Sequence, residues 1–330
     1  MSLANHKILV IGGAGYIGSH VALAFQDAGA QVSVFDNLST GHRENVPSGV
    51  ELLEGDIQHL GMLADLFSRP WDGVVHLAAL KAAGESMEEP ELYSRANLIG
   101  TLNLLEAFAH KKDSKLIFSS SAAVYGDPVR LPMDESHPTK PVNYYGFTKL
   151  AIEDYLDWFH QLRDLKFAAL RYFNAAGFDQ QGRITGLEDK PQNLIPIVME
   201  AATGVRAEVQ VYGDDYDTLD GSGVRDYIHV SDLARGHVAA YQALCQGTQT
   251  LKLNLGTGKG YSVLEVLQMT AEVSGIKIPY KITSRRPGDP ATVFASAELA
   301  NKTIGWKAEE SDLRSMIETT WNVYKETKHV

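Results

Sequence analysis

An α/β fold, a doubly wound parallel sheet with a smaller and partly interleaved second lobe, is predicted by three observations. Short apolar runs alternate with helical stretches, those runs are too apolar to leave one face wet, and a glycine-rich turn follows the first of them. KILVIGG opens with a buried-strand pattern and leads into the helical YIGSHVALAFQDAG. Strands QVSVFDN and VELLEGD, helical GMLADLF and strand DGVVHLAA come next. A longer helical stretch, ELYSRANLIGTLNLLEAFAH, precedes strand KLIFSSS, and a helix opened by NYYGFTKL precedes strand KFAALRYFN. After residue 177 the alternation loosens at YGDDYDTLDGSGVRDY, and short elements run on to an amphipathic tail helix. The chain therefore divides into residues 1–177 and a smaller lobe over 178–330, with crossing between the two expected.

The chain has 330 residues, 44% apolar and 22% charged, which suits a globular protein with a sizeable core. Its net charge of −11 argues against nucleic acid or anionic membrane as partners. A phosphate-bearing ligand then needs locally placed arginines or backbone N–H groups. The single cysteine, Cys245, excludes an internal disulfide and suits a reducing compartment. No apolar run approaches the ~20 residues of a membrane span. The opening MSLANHK is too short and polar for a signal peptide. A cytoplasmic protein is expected, and no metal ligands are assigned.

In a parallel sheet of this kind, ligands sit at the carboxyl ends of the strands. There IGGAGYIG places Gly12, Gly13, Gly15 and Gly18 between a strand and a helix. Glycine allows a tight turn and close approach of a pyrophosphate, which the helix N-terminus attracts. The following strand ends at Asp36, whose carboxylate can accept hydrogen bonds from a ribose diol and would repel a 2′-phosphate. NAD is favoured over NADP, in a Rossmann-like domain over residues 1–177. Asp56, after the third strand, is placed to reach the adenine.

Two tyrosines are followed by a lysine four residues on, Tyr145 with Lys149 and Tyr324 with Lys328. A phenol has a pKa of about 10, so a tyrosine acting as a base needs that value depressed. Lys149 shares a helical face with Tyr145, and its charge is expected to favour the phenolate. Asn143 is a good N-cap for a helix beginning here. Upstream, KLIFSSS ends in Ser121, a hydroxyl at a strand's carboxyl end. Tyr324 has no such strand, lies on a polar tail helix and is expected at the surface. Tyr144 faces Thr148, which carries no charge, and is expected to pack or to contact substrate.

The stretches GGAGYIGSH, HLAALKAAGES, FSSSAAVYGD, NYYGFTKL, LRYFNAAG and GSGVRDYIHVSDLA resemble the extended short-chain dehydrogenase/reductase family, in its NAD-dependent epimerase/dehydratase branch, over nearly the whole chain. The resemblance implies a homodimer that keeps NAD bound. It implies oxidation of a UDP-hexose at C4, rotation of the 4-keto sugar and hydride return to its other face, so that UDP-galactose and UDP-glucose interconvert. Related dehydratases and decarboxylases carry an acid shortly after the strand-end hydroxyl. Here Ala122, Ala123, Val124 and Tyr125 follow Ser121, with no carboxylate. A non-catalytic NAD-binding regulator is the other alternative, and it would have no use for Ser121, Tyr145 and Lys149 together.

Carried over residue by residue, the resemblance makes Tyr145 the base, Ser121 its hydrogen-bonding partner and Lys149 a holder of the nicotinamide ribose. Gly12, Gly15, Tyr16, Ile17, Gly18, Asp36, Asn37, Asp56, Ile57, Lys81, Asn97 and Phe173 match cofactor contacts. Besides Ser121 and Tyr145, the positions Asn174, Asn193, Leu194, Tyr212, Arg225, Arg286 and Asp289 match UDP-sugar contacts. The two arginines suit a diphosphate clamp, because guanidinium binds phosphate oxygens bidentately. Val293 stands where relatives restricted to UDP-glucose have a tyrosine, which leaves room for an N-acetylated sugar. Tyr144 stands where many members have proline.

Overall fold

The five residues Lys7–Ile11, apolar after the first, form a strand whose side chains are buried on both faces (β1). In the computed structural model, which describes residues 2–111, 113–286 and 288–327, β1 is an interior strand of a parallel sheet. It is followed by α1 (Tyr16–Asp27), β2 (Gln31–Asp36), β3 (Glu51–Glu54), α2 (Leu60–Leu66) and β4 (Gly73–His76). Then come α3 (Ala83–Glu88), α4 (Pro90–Tyr93), a π-helical segment Ser94–Ile99, α5 (Gly100–Phe108) and β5 (Lys115–Ser119). A short 3₁₀ turn, Ala122–Val124, precedes α6 (Tyr144–Arg163) and β6 (Lys166–Tyr172).

The seven-stranded sheet has the order β11-β6-β5-β4-β1-β2-β3, all parallel, where β11 is Thr250–Leu255. The chain leaves β1 toward β2 on one side and returns to β4 on the other, so the switch point lies between β1 and β4. One face is covered by α1 and by α8 (Val230–Cys245), through Val21, Phe25, Leu233 and Ala240. The other is covered by α2, α5 and α6, through Leu63, Leu104, Phe108, Ile152 and Leu156. Both α8 and β11 come from beyond residue 177.

The remaining elements are β7 (Asn174–Ala176), α7 (Leu194–Thr203), β8 (Val209–Tyr212), β9 (Val224–Arg225), β10 (Tyr227–His229), β12 (Tyr261–Ser262), α9 (Val263–Ser274), β13 (Tyr280–Thr283), β14 (Thr292–Val293), α10 (Glu298–Ile304) and α11 (Leu313–Tyr324). They make three small sheets, β10-β7, β12-β9-β14 and β13-β8, around an apolar cluster from α7, α9 and α11. Tyr324 is 4% exposed within that cluster, against the expectation of a surface residue. The tail helix is amphipathic, and its apolar side closes this lobe. Lys328 lies outside the described residues. No helix among the described residues is long and apolar enough to cross a membrane.

Candidate active site

The glycine turn sits at the switch point, held by close backbone approach. A Cβ on Gly12, whose φ is +80°, would lie 2.5 Å from the backbone nitrogen of Ala78, just past β4. One on Gly18 would lie 2.0 Å from the Gly12 carbonyl, so α1 could not pack against the turn. Gly15 caps α1 without a side-chain hydrogen bond, and the first turn of the helix holds no acid. The helix end therefore presents backbone N–H groups with no competing carboxylate. Tyr16 is anchored away from that end, its hydroxyl donating to the Gly177 carbonyl at 2.5 Å, and Ile17 packs against the core.

The Asp36 carboxylate, 8% exposed at the end of β2, accepts from Ala14 N at 2.9 Å and Leu38 N at 2.8 Å. It thus ties the glycine turn to the β2 edge as well as facing the site. Asn37 donates to Asp56 at 2.9 Å, which joins the ends of β2 and β3 into one polar rim. These features fit a dinucleotide: N–H donors for a pyrophosphate, a carboxylate for a ribose diol and a polar rim beyond it.

Three other expected cofactor residues are engaged by the protein itself. Asn97 is buried in the π-helical segment, accepts from Leu80 N at 2.9 Å and donates to Leu80 O at 3.1 Å and Thr148 Oγ1 at 3.1 Å. It fixes the strand-end loop that presses on Gly12. Ile57 is in the core against α5, and Lys81 forms an ion pair with Glu188 of the second lobe.

The catalytic candidates meet at the carboxyl edge of β5. Ser121 caps the 3₁₀ turn, its oxygen accepting from Ala123 N at 3.1 Å, which leaves its hydroxyl hydrogen for the Tyr145 phenol. Asn143 caps α6 by accepting from Gly146 N at 2.8 Å, and Ser86 of α3 accepts from Tyr145 N at 3.0 Å. Gly146 matters for a second reason, which the sequence did not signal. A Cβ there would lie 2.5 Å from the Ala123 carbonyl, so only glycine lets α6 press against the turn that carries Ser121. Tyr144 packs, hydrogen-bonded to Ser94 at 2.6 Å and with its ring 5.3 Å from that of Phe147.

Lys149 is 3% exposed, donates to the Ser119 carbonyl at 2.8 Å and lies 5.8 Å from the Tyr145 ring centroid. Burial lowers its pKa from 10.5 to about 7. Burial also raises the Tyr145 phenol above its ordinary value, opposed by the hydrogen bond from Ser121. The expected depression by Lys149 is therefore not a property of these side chains alone. Desolvation penalises both charged forms, and near neutrality the amine is only partly protonated.

Across the cleft, β14 pairs with β9 and places Val293 beside Arg225. Val293 and Phe173 pack on Ala122, Val124, Tyr125 and Met133, the wall behind Ser121. Arg225 donates to Val224 O at 2.8 Å and pairs with Asp289. Arg286 stacks 3.8 Å from the Tyr212 ring centroid. Asn174 donates to Asp226 O at 2.9 Å, and Asn193 and Leu194 begin α7. Asp226 is a further buried acid, with a pKa raised to about 6 by burial and a carboxylate that accepts from Thr257 Oγ1 at 2.7 Å and Ala295 N at 3.1 Å. It holds the strand that carries Val293 to β9.

The model of the NAD dependent epimerase/dehydratase family matches residues 8–256. A UDP-glucose 4-epimerase of Halalkalibacterium halodurans is 46% identical, covering 98% of this chain and 96% of that one. The crystal structure of UDP-glucose 4-epimerase from Brucella ovis in complex with NAD superposes with a TM-score of 0.94 at 42% identity, covering 97% of this chain and 98% of that one. The UDP-Glc/GlcNAc 4-epimerase from Campylobacter jejuni gives a TM-score of 0.86 at 34% identity, covering 98% of this chain and all of that one (100%).

Proposed function

This chain belongs to the NAD dependent epimerase/dehydratase family, and from that premise we propose that it interconverts UDP-galactose and UDP-glucose by transient oxidation at C4. One observation carries the reading: Ser121, Tyr145 and Lys149 meet at the carboxyl edge of β5, in the same parallel sheet whose β1 leads into the glycine turn, and no carboxylate follows Ser121. The glycine turn and Asp36 would hold NAD, which would supply the reversible two-electron oxidation of the sugar. Tyr145 removes the O4 proton and later returns it, and Ser121 holds the same oxygen in line. Lys149 binds the nicotinamide ribose and, with its pKa of about 7, exchanges a proton readily near neutrality. A dehydratase would need a nearby acid. Glu153, the buried carboxylate beneath the site, is instead bound to Arg171 at 2.5 Å and Ser120 at 2.6 Å.

The backbone of Tyr16 and Ile17 at the start of α1 and the side chains of Asp36, Asn37, Asp56, Lys81 and Phe173 line the cofactor site, with Lys81 exchanging Glu188 for the ligand. In the lobe after residue 177, Arg225 and Arg286 clamp the diphosphate while Asn193, Leu194 and Tyr212 border the nucleotide. The test is direct: purified protein, given UDP-galactose and no added cofactor, produces UDP-glucose, and the denatured protein releases NAD. Protein that releases no dinucleotide and gains no turnover from added NAD would refute the reading.

Val293, in the wall behind Ser121, leaves space that tyrosine would fill, so UDP-N-acetylgalactosamine is also a substrate. Val293→Tyr lowers kcat/KM for the N-acetyl sugar while largely sparing UDP-galactose, because nothing touching C4 has changed. An unchanged ratio of the two values would show that Val293 is not the gate.

The protein works as a cytoplasmic homodimer. Leu92 on α4, Ile99 in the π-helical segment, Leu102 on α5 and Phe147, Trp158 and Leu162 on α6 are exposed large apolar side chains, suited to a four-helix contact with a second copy. Leu102→Glu with Trp158→Glu yields a monomer in sedimentation; a dimer that survives both places the contact elsewhere.

A further inference from the structure

Beneath the site lies a buried polar network that the reaction itself does not use. Glu153 is one turn beyond Lys149 on the face of α6 that carries Tyr145, and it is fully buried (0% exposed). Its carboxylate accepts from Ser120 Oγ at 2.6 Å and from Arg171 Nε at 2.9 Å and Nη2 at 2.5 Å. Arg171, on β6, also donates to the Tyr125 hydroxyl at 3.1 Å and lies 5.0 Å from that ring's centroid. The Tyr125 hydroxyl in turn donates to Asn254 on β11 at 2.6 Å. Asn254 is anchored through the Met133 carbonyl at 3.0 Å.

Ser120 is the residue before Ser121, and Tyr125 closes the 3₁₀ turn that Ser121 begins. The network therefore grips the turn at its two ends, from α6 in front and from β6 and β11 behind. Tyr145 rides on α6 and Ser121 on the turn, so the hydrogen bond between them depends on how these two elements are held. We propose that Glu153, Arg171 and Tyr125 are positioning residues, which fix the Ser121 hydroxyl against Tyr145 by clamping both ends of the Ser121–Tyr125 turn. Removing a clamp lets the turn drift, and a displacement of ~1 Å in a reacting geometry can cost on the order of a hundredfold in rate.

The proposal rests on the epimerase reading, and its test separates the two. Glu153→Ala would strand a buried guanidinium and unfold the protein. Ser120→Ala and Tyr125→Phe instead release one hydroxyl each and keep the packing. Each is expected to lower kcat by about tenfold while KM changes less than about threefold. Ser121's hydrogen bond lowers the Tyr145 pKa, so its loss moves the acidic limb of the kcat/KM profile to higher pH. The other titratable groups facing the phenol, Lys149 on α6, Tyr93 on α4 and Tyr172 at the end of β6, are untouched by either substitution.

Tyr145 titration is read independently by NMR of carbon-labelled tyrosine, with Tyr145→Phe to assign the resonance. That measurement requires no turnover, so it tests the clamp even if the epimerase reading fails. A Tyr145 titration unchanged in both variants, or an unchanged kcat in an active enzyme, would overturn the proposal. A lowered Tm alone, with both readouts unmoved, would mean that the network serves only the fold.

Discussion

The same short sequence pattern occurs at Tyr145 on α6 and at Tyr324, the last residue of α11, and the two tyrosines meet opposite surroundings. Each helix begins with a polar cap, Asn143 on Gly146 N and Asp312 on Ser315 N, and each carries a tyrosine, half-buried at Tyr145 and buried at Tyr324. Burial raises the pKa of both phenols. The difference lies in what meets them. Tyr145 faces a strand-end hydroxyl and a buried amine at the carboxyl edge of a parallel sheet. Tyr324 belongs to the apolar cluster of α7, α9 and α11, with Glu200 and Glu188 adding negative charge that opposes its ionisation further. A tyrosine becomes a base only where its surroundings supply what stabilises the phenolate, so the pattern alone is no more informative than its address.

The largest effects expected separate these two tyrosines in both directions. Tyr145→Phe lowers kcat by at least about a hundredfold, the usual cost of losing a general base, and leaves the fold intact. Tyr324→Ala empties a packed position and costs about 3–5 kcal/mol of stability, while the folded fraction keeps its turnover. Activity assays paired with denaturant unfolding check both. Comparable activity losses in Tyr145→Phe and Tyr324→Phe would erase the distinction.

Lys149 sharpens the comparison, because its burial opposes stability while serving the site. Its folded pKa of about 7 is below the ordinary 10.5. Between those values the unfolded chain holds a proton that the folded chain does not, so stability rises with pH across that window. The cost of burying the amine is thus greatest below about pH 7. Lys149→Met is expected to cut turnover about tenfold or more and yet to raise the Tm of cofactor-free protein. The gain should shrink as the pH approaches about 10. A Tm that falls at neutral pH would show that the bond to Ser119 and the contact with the Phe118 ring outweigh the burial.

What could be read beforehand was local. The glycine turn, Asp36 at the end of β2, the i, i+4 face of Tyr145 and Lys149 and the Asn143 cap all follow from backbone periodicity over a few residues. What escaped depends on partners distant in the chain. Tyr324 looked exposed because its neighbours in sequence are polar, whereas its neighbours in space come from α7 and α9. The expected effect of Lys149 on Tyr145 is opposed by the burial of both groups, and burial is a tertiary property. The stretch from Glu91 to His110 reads as one helix, but the chain widens into a π segment where Asn97 turns inward to hold Leu80. Gly146 carried no signal either, since the carbonyl that excludes a side chain belongs to Ala123 on the neighbouring turn.

The smallest effect expected lies in the caps. Asn143→Ala and Asp312→Ala each cost ~1 kcal/mol, the usual value for an N-cap. The two losses differ in their pH dependence. Burial pushes the Asp312 carboxyl up, but hydrogen bonds from Ser315 outweigh it and hold the pKa below the ordinary 3.8. A depressed carboxylate contributes stability that is full above its unfolded value and fades as pH falls through the folded one. The Asp312→Ala penalty therefore diminishes in acid below 3.8, and the Asn143→Ala penalty, which involves no titrating group, stays level. Asn143→Ala also frays the turn of α6 that carries Tyr145, so it lowers kcat severalfold, and Asp312→Ala does not. Denaturant unfolding of both variants at neutral and acidic pH, with kcat measured at neutral pH, reads all of these at once. If Asp312→Ala reduces kcat as much as Asn143→Ala does, the two helices are not separate in function and the comparison fails.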